Sequence, residues 1–423
     1  MLSLAYLREQ KEDVKHRLTV KNFKNLHVVD EVLEADVKRR KIQKELDDTL
    51  SRSNNLAKQI GQLFQSGKRE EADALKNESA GLKETSKQLQ EDLQATEKEL
   101  HDLLITLPNL PHKSVPVGKT HEDNEVVKQK GETDILPEGA LPHWDLAAKY
   151  DLIDFELGNK ISGAGFPVYK GKGAKLQRAL INYFLDEAEK QGYREFEVPI
   201  LINEDSGYGT GQLPDKEGQM YFVGQDNMYL IPTAEVPLTN LYRNVILKEE
   251  EFPVKMTGYT PCFRREAGSY GKDVRGLNRL HQFDKVEIVQ LQHPERSYET
   301  LEQMKDYVAG LIENLGLPYR ILRLCGGDMS FASALTYDME VFSAAQKKWL
   351  EVSSVSNFET FQANRLKLRF KDKNGDTQMA HTLNGSALAL PRIVASILEN
   401  YQTEDGINIP EVLVPYTGFS KIS

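Results

Sequence analysis

Two long runs of apolar residues spaced alternately by four and three dominate the first quarter of the chain. The first passes through Val28, Val32, Ala35, Ile42, Leu46, Leu56, Ile60 and Leu63, lapsing at Arg39, Thr49 and Ser53. The second passes through Leu75, Leu82, Leu89, Leu93, Leu100 and Leu103, with Ser79, Ser86 and Thr96 on the same seam. This spacing keeps one side of a helix against a partner over many turns, as a heptad seam does. Gln65, Ser66, Gly67 and Lys68 separate the runs. So short a link leaves two long helices only one arrangement, side by side and antiparallel. The pattern predicts a helical hairpin over about residues 28–104, roughly 50 Å long at 1.5 Å per residue.

Charge divides the two arms. Residues 38–69 carry nine basic and three acidic side chains, a net +6, and residues 70–104 carry four basic and ten acidic ones, a net -6. Opposite charge on facing helices guides their pairing, which is the reading the pattern favours. The same basic arm is also suited to touch phosphates.

The whole chain of 423 residues has a net charge of -10. That excludes a generally basic nucleic-acid coat and confines any RNA contact to local patches. Its length and 39% hydrophobic content suit two or three domains with a sizeable core. Cys262 and Cys325 are too few for a disulfide framework or a four-cysteine zinc site, so no zinc is expected and a reducing cytosol fits. Nothing approaches the ~20 apolar residues of a membrane span, so no membrane role is expected. Residues 1–27 read as one short helix and a connector. Pro108, Pro111 and Pro116 mark a linker. The expected division is 1–107, 108–140 as linker, and 141–423.

In the last of these, residues 262–289 read as strand, glycine-rich basic loop, strand. Alternation puts Arg264 and Glu266 on one face and Arg265 on the other, and groups Phe283, Lys285, Glu287 and Val289 on the return strand. Gly268, Gly271 and Gly276 among Lys272, Arg275 and Arg279 permit close backbone approach to a ligand. Arginine suits phosphate and a carboxylate suits amino groups, so the pattern fits a nucleotide, and by itself it equally fits a surface hairpin with a solvated charged turn. Residues 174–191 read as an amphipathic helix, 194–201 as a strand, and 207–214 as a flexible loop. Residues 229–235 read as a strand running into a helix that Thr233 caps, and 297–315 as a helix leading to a strand. Residues 336–341 and 349–357 read as strands. Pro391 must lie in the first turn of the last helix, which places Arg392 beside the preceding turn.

The segment FRREAGSYGKDVRGLNRLHQFDKVE closely resembles motif 2 of the bacterial-type seryl-tRNA synthetases, which are class II aminoacyl-tRNA synthetases. HTLNGSALALPR resembles their motif 3, Thr233-Ala234-Glu235 their TAE motif, and Glu351-Val352-Ser353-Ser354 the start of their E-[IV]-SS segment. The region around Ser162-Gly163-Ala164-Gly165-Phe166 resembles motif 1, with Gly165 where arginine is common, and the hairpin resembles the family's N-terminal arm. Asn364, Ala387, Pro391 and the pair Asp215-Lys216 are further departures.

The resemblance implies an α+β fold: an antiparallel class II sheet flanked by helices, preceded by an antiparallel coiled-coil hairpin that binds tRNA. It implies a cytoplasmic homodimer that activates L-serine with ATP and Mg²⁺ and charges tRNA(Ser), with tRNA(Sec) as a second acceptor. It implies that Arg264 and Arg392 are catalytic, and that Arg264, Arg265, Glu266, Glu351, Val352, Ser353, Ser354 and Arg392 bind ATP. Thr233, Ala234, Glu235, Arg264, Glu287 and Ser386 would bind serine, and Glu351 and Ser354 the metal. Alternation would put Glu351 and Ser354 on opposite faces, so a bend between them is required. Two other readings are a paralogue that loads another carrier and an RNA-binding module on an inactive domain.

Overall fold

Two helices, α3 (His27–Gln65) and α4 (Arg69–Leu104), form the expected hairpin in the computed structural model of the chain. They follow α1 (Leu4–Glu9) and α2 (Lys11–Val20). All residues are described except 134, 135, 137, 138, 216 and 267–274. Gly268, Gly271 and Lys272 of the basic loop, and Lys216, therefore lie outside the described residues. The chain divides into two compact units, Met1–Thr19 with Phe23–Pro108, and Val20–Asn22 with Asn109–Ser423.

In the first unit the seam buries Val32, Ala35, Leu46 and Leu56 of α3 against Ala72, Ser86, Thr96 and Leu100 of α4. The two hydroxyls are satisfied within their own helix: Ser86 donates to the Leu82 carbonyl at 2.9 Å and Thr96 to that of Asp92 at 2.8 Å. The lapse at Arg39 has a partner too, because fully buried Asp36 pairs with Arg39 and Arg40, each at 3.1 Å. Lys38 pairs with Glu99 at 3.3 Å and Arg52 with Glu78, contacts that require antiparallel arms. All four side chains are largely exposed, so each pair contributes roughly 0–1 kcal/mol and the seam supplies most of the cohesion. The single helix expected near the N-terminus is two. Gln10 leaves the helical region (φ -128, ψ 38), yet its N–H still reaches the Tyr6 carbonyl and its carbonyl receives the Val14 N–H, so the break strands neither group.

The second unit is built on an eight-stranded sheet. Its strands are β1 (Glu125–Lys130), β2 (Arg194–Glu195), β3 (Val254–Phe263), β4 (Gln282–Gln292), β5 (Tyr319–Arg323), β6 (Leu335–Ser343), β7 (Lys348–Asn357) and β8 (His381–Ala389). The spatial order is β1-β5-β6-β7-β8-β4-β3-β2. Every pairing is antiparallel except β2 with β3. β1 comes from the proline-marked stretch and is an edge strand of this sheet. The strand expected over 194–201 stops at Glu195. Pro199 has no N–H for a ladder, and Leu201–Ile202 pairs instead with Met228–Leu230.

The helices used below are α5 (His143–Lys149), α6 (Phe155–Ile161), α7 (Gly171–Lys190), α8 (Glu204–Thr210), α9 (Glu235–Asn240), α10 (Ser297–Asn314), α11 (Phe361–Leu366) and α12 (Leu390–Asn400). α7, α10 and α12 supply the main core. Leu176, Leu180 and Phe184, then Leu301, Met304 and Val308, then Ile393, Val394 and Ile397 meet Val286 and Ile288 of β4 and Val352 and Val355 of β7. Pro391 is the second residue of α12, in its first turn, as expected.

The flexible loop expected at 207–214 is helical up to Thr210. The Asn203 side chain caps α8 by accepting from the Ser206 N–H, and Gly211 ends it with φ +95. A Cβ on Gly207 would lie 2.8 Å from Leu213, and one on Gly209 2.6 Å from Leu366. These glycines give close packing rather than mobility.

Candidate active site

The face of the sheet away from α7, α10 and α12 collects the polar residues. On β4, Val286 and Ile288 enter the main core, so Lys285 and Glu287 face the other way. Glu287 is opposite Gly258 of β3 on one side and Ser386 of β8 on the other. On β7, Leu350, Val352 and Val355 all face the main core. That needs a break in alternation, and the pairing supplies it: Met339 faces Ser353 but Glu340 faces Glu351, so Val352 is the extra residue of a β-bulge. The bulge puts Glu351 and Ser354 on the same face. This is the bend that sequence alternation required.

Thr233, Glu235, Lys285 and Glu287 form a buried cluster. Lys285 Nζ is 2.5 Å from Glu287 Oε2 and donates to Thr233 Oγ1 at 2.8 Å. Thr233 Oγ1 donates to the same Glu287 oxygen at 3.3 Å and accepts from the Glu235 N–H at 3.2 Å. The N-cap of α9 is Ala234 rather than Thr233, which from one residue earlier satisfies the Glu235 N–H, and the Thr233 hydroxyl is fully engaged within the protein. Gln362 of α11 donates to Glu235 at 2.7 Å and accepts from Thr382 at 2.6 Å. Glu235 and Glu287 are 6% and 1% exposed, so desolvation dominates their titration. Burial, reinforced by the Glu287 charge, pushes the Glu235 pKa up to about 7. Burial also raises Glu287, against the opposing pull of Lys285, Thr233 and Arg264. Ala234 is fully buried and Ser386 nearly so.

Arg264 follows β3 directly. Its Nε donates to the Pro232 carbonyl at 3.4 Å and its guanidinium lies 5.2 Å from the Phe283 ring centre. β3 ends at Phe263, so alternation does not carry on to Glu266 as the sequence suggested. Glu266 has φ +48 and pairs with Arg279. Arg265 is exposed, with its N–H on the Gln219 carbonyl at 2.8 Å.

Arg392 bridges two neighbouring segments. Its Nε donates to the Asn278 carbonyl at 3.0 Å, and one terminal nitrogen donates to the Glu351 carbonyl at 2.6 Å, 3.9 Å from the Glu351 carboxylate. Ser353 is buried and donates to the Ser386 carbonyl at 2.6 Å. The Val352 side chain is in the core and offers nothing to this face. Only its backbone is left for a ligand.

Sequence reasoning assigned no role to several residues that hold this site. Buried His143 of α5 joins Glu399 of α12 at 2.8 Å and receives the Leu277 N–H on its other nitrogen at 2.8 Å. That pair secures the segment Arg392 reaches. Asp338 of β6 hydrogen-bonds Ser354, and burial together with the Glu351 charge holds its pKa well above the carboxylate range. Lys285 and Glu287, two apart on one strand, were visible in the sequence as a same-face pair.

The arrangement, a seven-strand antiparallel ladder with one parallel edge, Arg264 just beyond β3 and Arg392 in the first turn of α12, is that of a class II aminoacyl-tRNA synthetase. Residues 221–401 match the family model described as the tRNA synthetase class II core domain (G, H, P, S and T), and residues 1–111 match that of the seryl-tRNA synthetase N-terminal domain. The serine–tRNA ligase of Salinibacter ruber is 50% identical over all of this chain and 99% of its own. Seryl-tRNA synthetase from Pyrococcus horikoshii, solved with ATP, superimposes with a TM-score of 0.93 at 34% identity, covering 100% of this chain and 99% of that one. The cytoplasmic enzyme of Naegleria fowleri, solved with AMP, gives 0.88 at 28% identity over 100% and 99%. The chain belongs to the seryl-tRNA synthetase family.

Proposed function

We propose that the open face of the sheet carries out the family's two-step reaction, with L-serine, ATP and tRNA(Ser) as substrates. The serine carboxylate attacks the ATP α-phosphate, giving seryl-adenylate and releasing pyrophosphate. A terminal ribose hydroxyl of tRNA then takes the acyl group and AMP leaves. Such steps need positioning and charge neutralisation more than a nucleophilic side chain. Arg264 clamps the α-phosphate and the serine carboxylate. Glu266 and Arg265 meet the adenine end, and Arg392 neutralises the γ-phosphate. Glu235 faces the serine ammonium, Glu287 accepts the serine hydroxyl, and the backbone around Thr233 and Ala234, with Ser386, closes the pocket.

The observation that carries this reading is the buried pair Glu235 and Glu287 beside Arg264. Two desolvated carboxylates share one internal cation, Lys285. A ligand bearing an ammonium, a hydroxyl and a carboxylate completes the charge and hydrogen-bond balance. The test is serine-dependent ATP–pyrophosphate exchange. Glu287→Ala should abolish it, and near-normal exchange would refute the role.

Glu351 and Ser354 fit Mg²⁺, since the bulge brings two hard oxygen donors to one face beside Arg392. Among the described residues no group of three or more His, Cys, Asp or Glu is placed to hold a metal. A cation at Glu351 and Ser354 would draw its other ligands from phosphates and water. Bound there, it would neutralise phosphate charge.

We assign residues 1–107 to tRNA binding and 141–423 to catalysis, with 108–140 between them contributing β1 to the edge of the catalytic sheet. The exposed basic side chains of α3 suit recognition of an RNA backbone by shape rather than by base edges. tRNA(Sec) is a second acceptor on this reading. Among the described residues no helix is long and apolar enough to cross a membrane, and the cytoplasm is the proposed location. The active form is a homodimer joined through the motif 1 region. There α6 leaves Leu157 42% and Ile161 74% exposed, and sedimentation would report a mass twice that of the chain.

A further inference from the structure

Lys285 is 5% exposed, and burying an ammonium is costly unless its partners are well placed. Its partners are the two groups that frame the amino-acid pocket, Glu287 and Thr233. Both contacts the structure gives Glu287 fall on Oε2, leaving Oε1 as the oxygen turned to a ligand. Lys285 and Glu287 are two apart on β4, so their side chains leave the same face and meet without any loop or helix having to move. The charged and titratable groups around the pair are few. Glu235 comes from α9, Arg264 and Cys262 from the end of β3 and just beyond it, and β8 contributes the uncharged Asn384 and Ser386.

We propose that Lys285 is a positioning residue for amino-acid selection: by holding Oε2 of Glu287 it fixes Oε1 as a single, ionised acceptor for the substrate hydroxyl. This rests on the reading of Glu287 given above and deepens it. A fixed acceptor that cannot find another partner is left unpaired by alanine, which makes the missing hydroxyl expensive. An acceptor free to rotate or to take up a proton satisfies itself, and the distinction between serine and alanine shrinks. Thr233 is part of the same device. It accepts from Lys285 and donates to Oε2, so its hydroxyl orients the carboxylate rather than the substrate.

The test is ATP–pyrophosphate exchange with serine and, separately, with alanine, for the full chain and for Lys285→Met, Lys285→Arg, Thr233→Val and Glu287→Ala, across pH 6 to 9. Lys285→Met should lower kcat/KM for serine by about a hundredfold, chiefly through KM, while changing the value for alanine by less than about threefold. Its KM for ATP should stay at the parent value, and its acid limb for serine should move to higher pH. Lys285→Arg should recover part of the serine-to-alanine ratio. Equal losses with serine and alanine, or an unchanged ratio, would overturn the proposal. If Lys285→Met does not fold, as judged by circular dichroism, Thr233→Val decides in its place. A ratio equal to the parent's overturns the proposal, and a reduced one supports it. Glu287→Ala separates the two levels: full activity there sinks the site reading, whereas its inactivity beside an unchanged Lys285→Met ratio sinks only this inference.

Discussion

At the scale of single residues, the consequential fact is that the two carboxylates of the amino-acid pocket, Glu235 and Glu287, are buried before any ligand arrives. Glu235 ordinarily loses its proton near 4.5, but here it keeps it up to about 7. Below 4.5 neither the folded nor the unfolded chain pays for a charge. Between these values the unfolded chain has ionised and the folded one has not, so the empty protein loses stability as pH rises through this window. A substrate ammonium needs the ionised form. KM for serine should therefore fall as pH rises, by up to about tenfold per unit below 7, and level off above it. Glu235→Gln should remove that slope, and the pH profile of KM in the exchange assay checks both. Cys262 and Cys325 are buried thiols, and burial pushes the Cys262 pKa up, which suits packing rather than nucleophilic work.

At the scale of elements, glycines in helices separate propensity from packing. Gly81 in α4 has nothing within 4 Å of where a Cβ would stand, whereas a Cβ on Gly173 in the first turn of α7 would lie 2.2 Å from the Leu152 carbonyl oxygen. Alanine is favoured over glycine in a helix interior by about 0.5–1 kcal/mol, with no opposing term at Gly81. At Gly173 a clash with backbone costs about 1–3 kcal/mol and wins. Gly81→Ala should thus stabilise the hairpin and Gly173→Ala should destabilise the catalytic unit, each measured by denaturant unfolding. The bulge at Val352 is the other element-scale device. One extra residue in β7 brings Glu351 and Ser354 to one face while Leu350, Val352 and Val355 stay in the core. The twofold period of a strand, read from sequence, could state only that such a bend was needed.

At the scale of the whole molecule, the proposed division gives the two compact units two kinds of recognition. One is a hairpin of 39- and 36-residue helices held by a narrow apolar seam. The other is a sheet whose two faces divide core from chemistry. A chain trimmed of the distal hairpin, residues 45–92, should keep serine-dependent pyrophosphate exchange within about twofold while losing tRNA charging by at least about a hundredfold. Parallel assays of exchange and aminoacylation check this. Equal loss of both would place the hairpin in the chemistry, and retention of both would remove it from tRNA binding.

The heptad seams, the turn between them and the amphipathic helices were legible in the sequence because each is a local periodicity, set by the chain's own geometry over a few residues. The arginine, carboxylate and glycine pattern of residues 262–289 carried the family resemblance, because its wording is local to one stretch of chain. Several expectations differed: one N-terminal helix became two, the strand over 194–201 stopped at Glu195, the first half of the loop at 207–214 became the end of α8, Ala234 rather than Thr233 became the N-cap of α9, and Glu266 left the alternation of β3. Only the tertiary structure decided which carboxylates lose water, which oxygen of Glu287 is occupied, that Val352 turns inward, and that His143 and Glu399 secure the segment Arg392 reaches. Each of those depends on groups brought from distant parts of the chain. Burial and partner choice belong to the assembled sheet, and no stretch of sequence contains them alone.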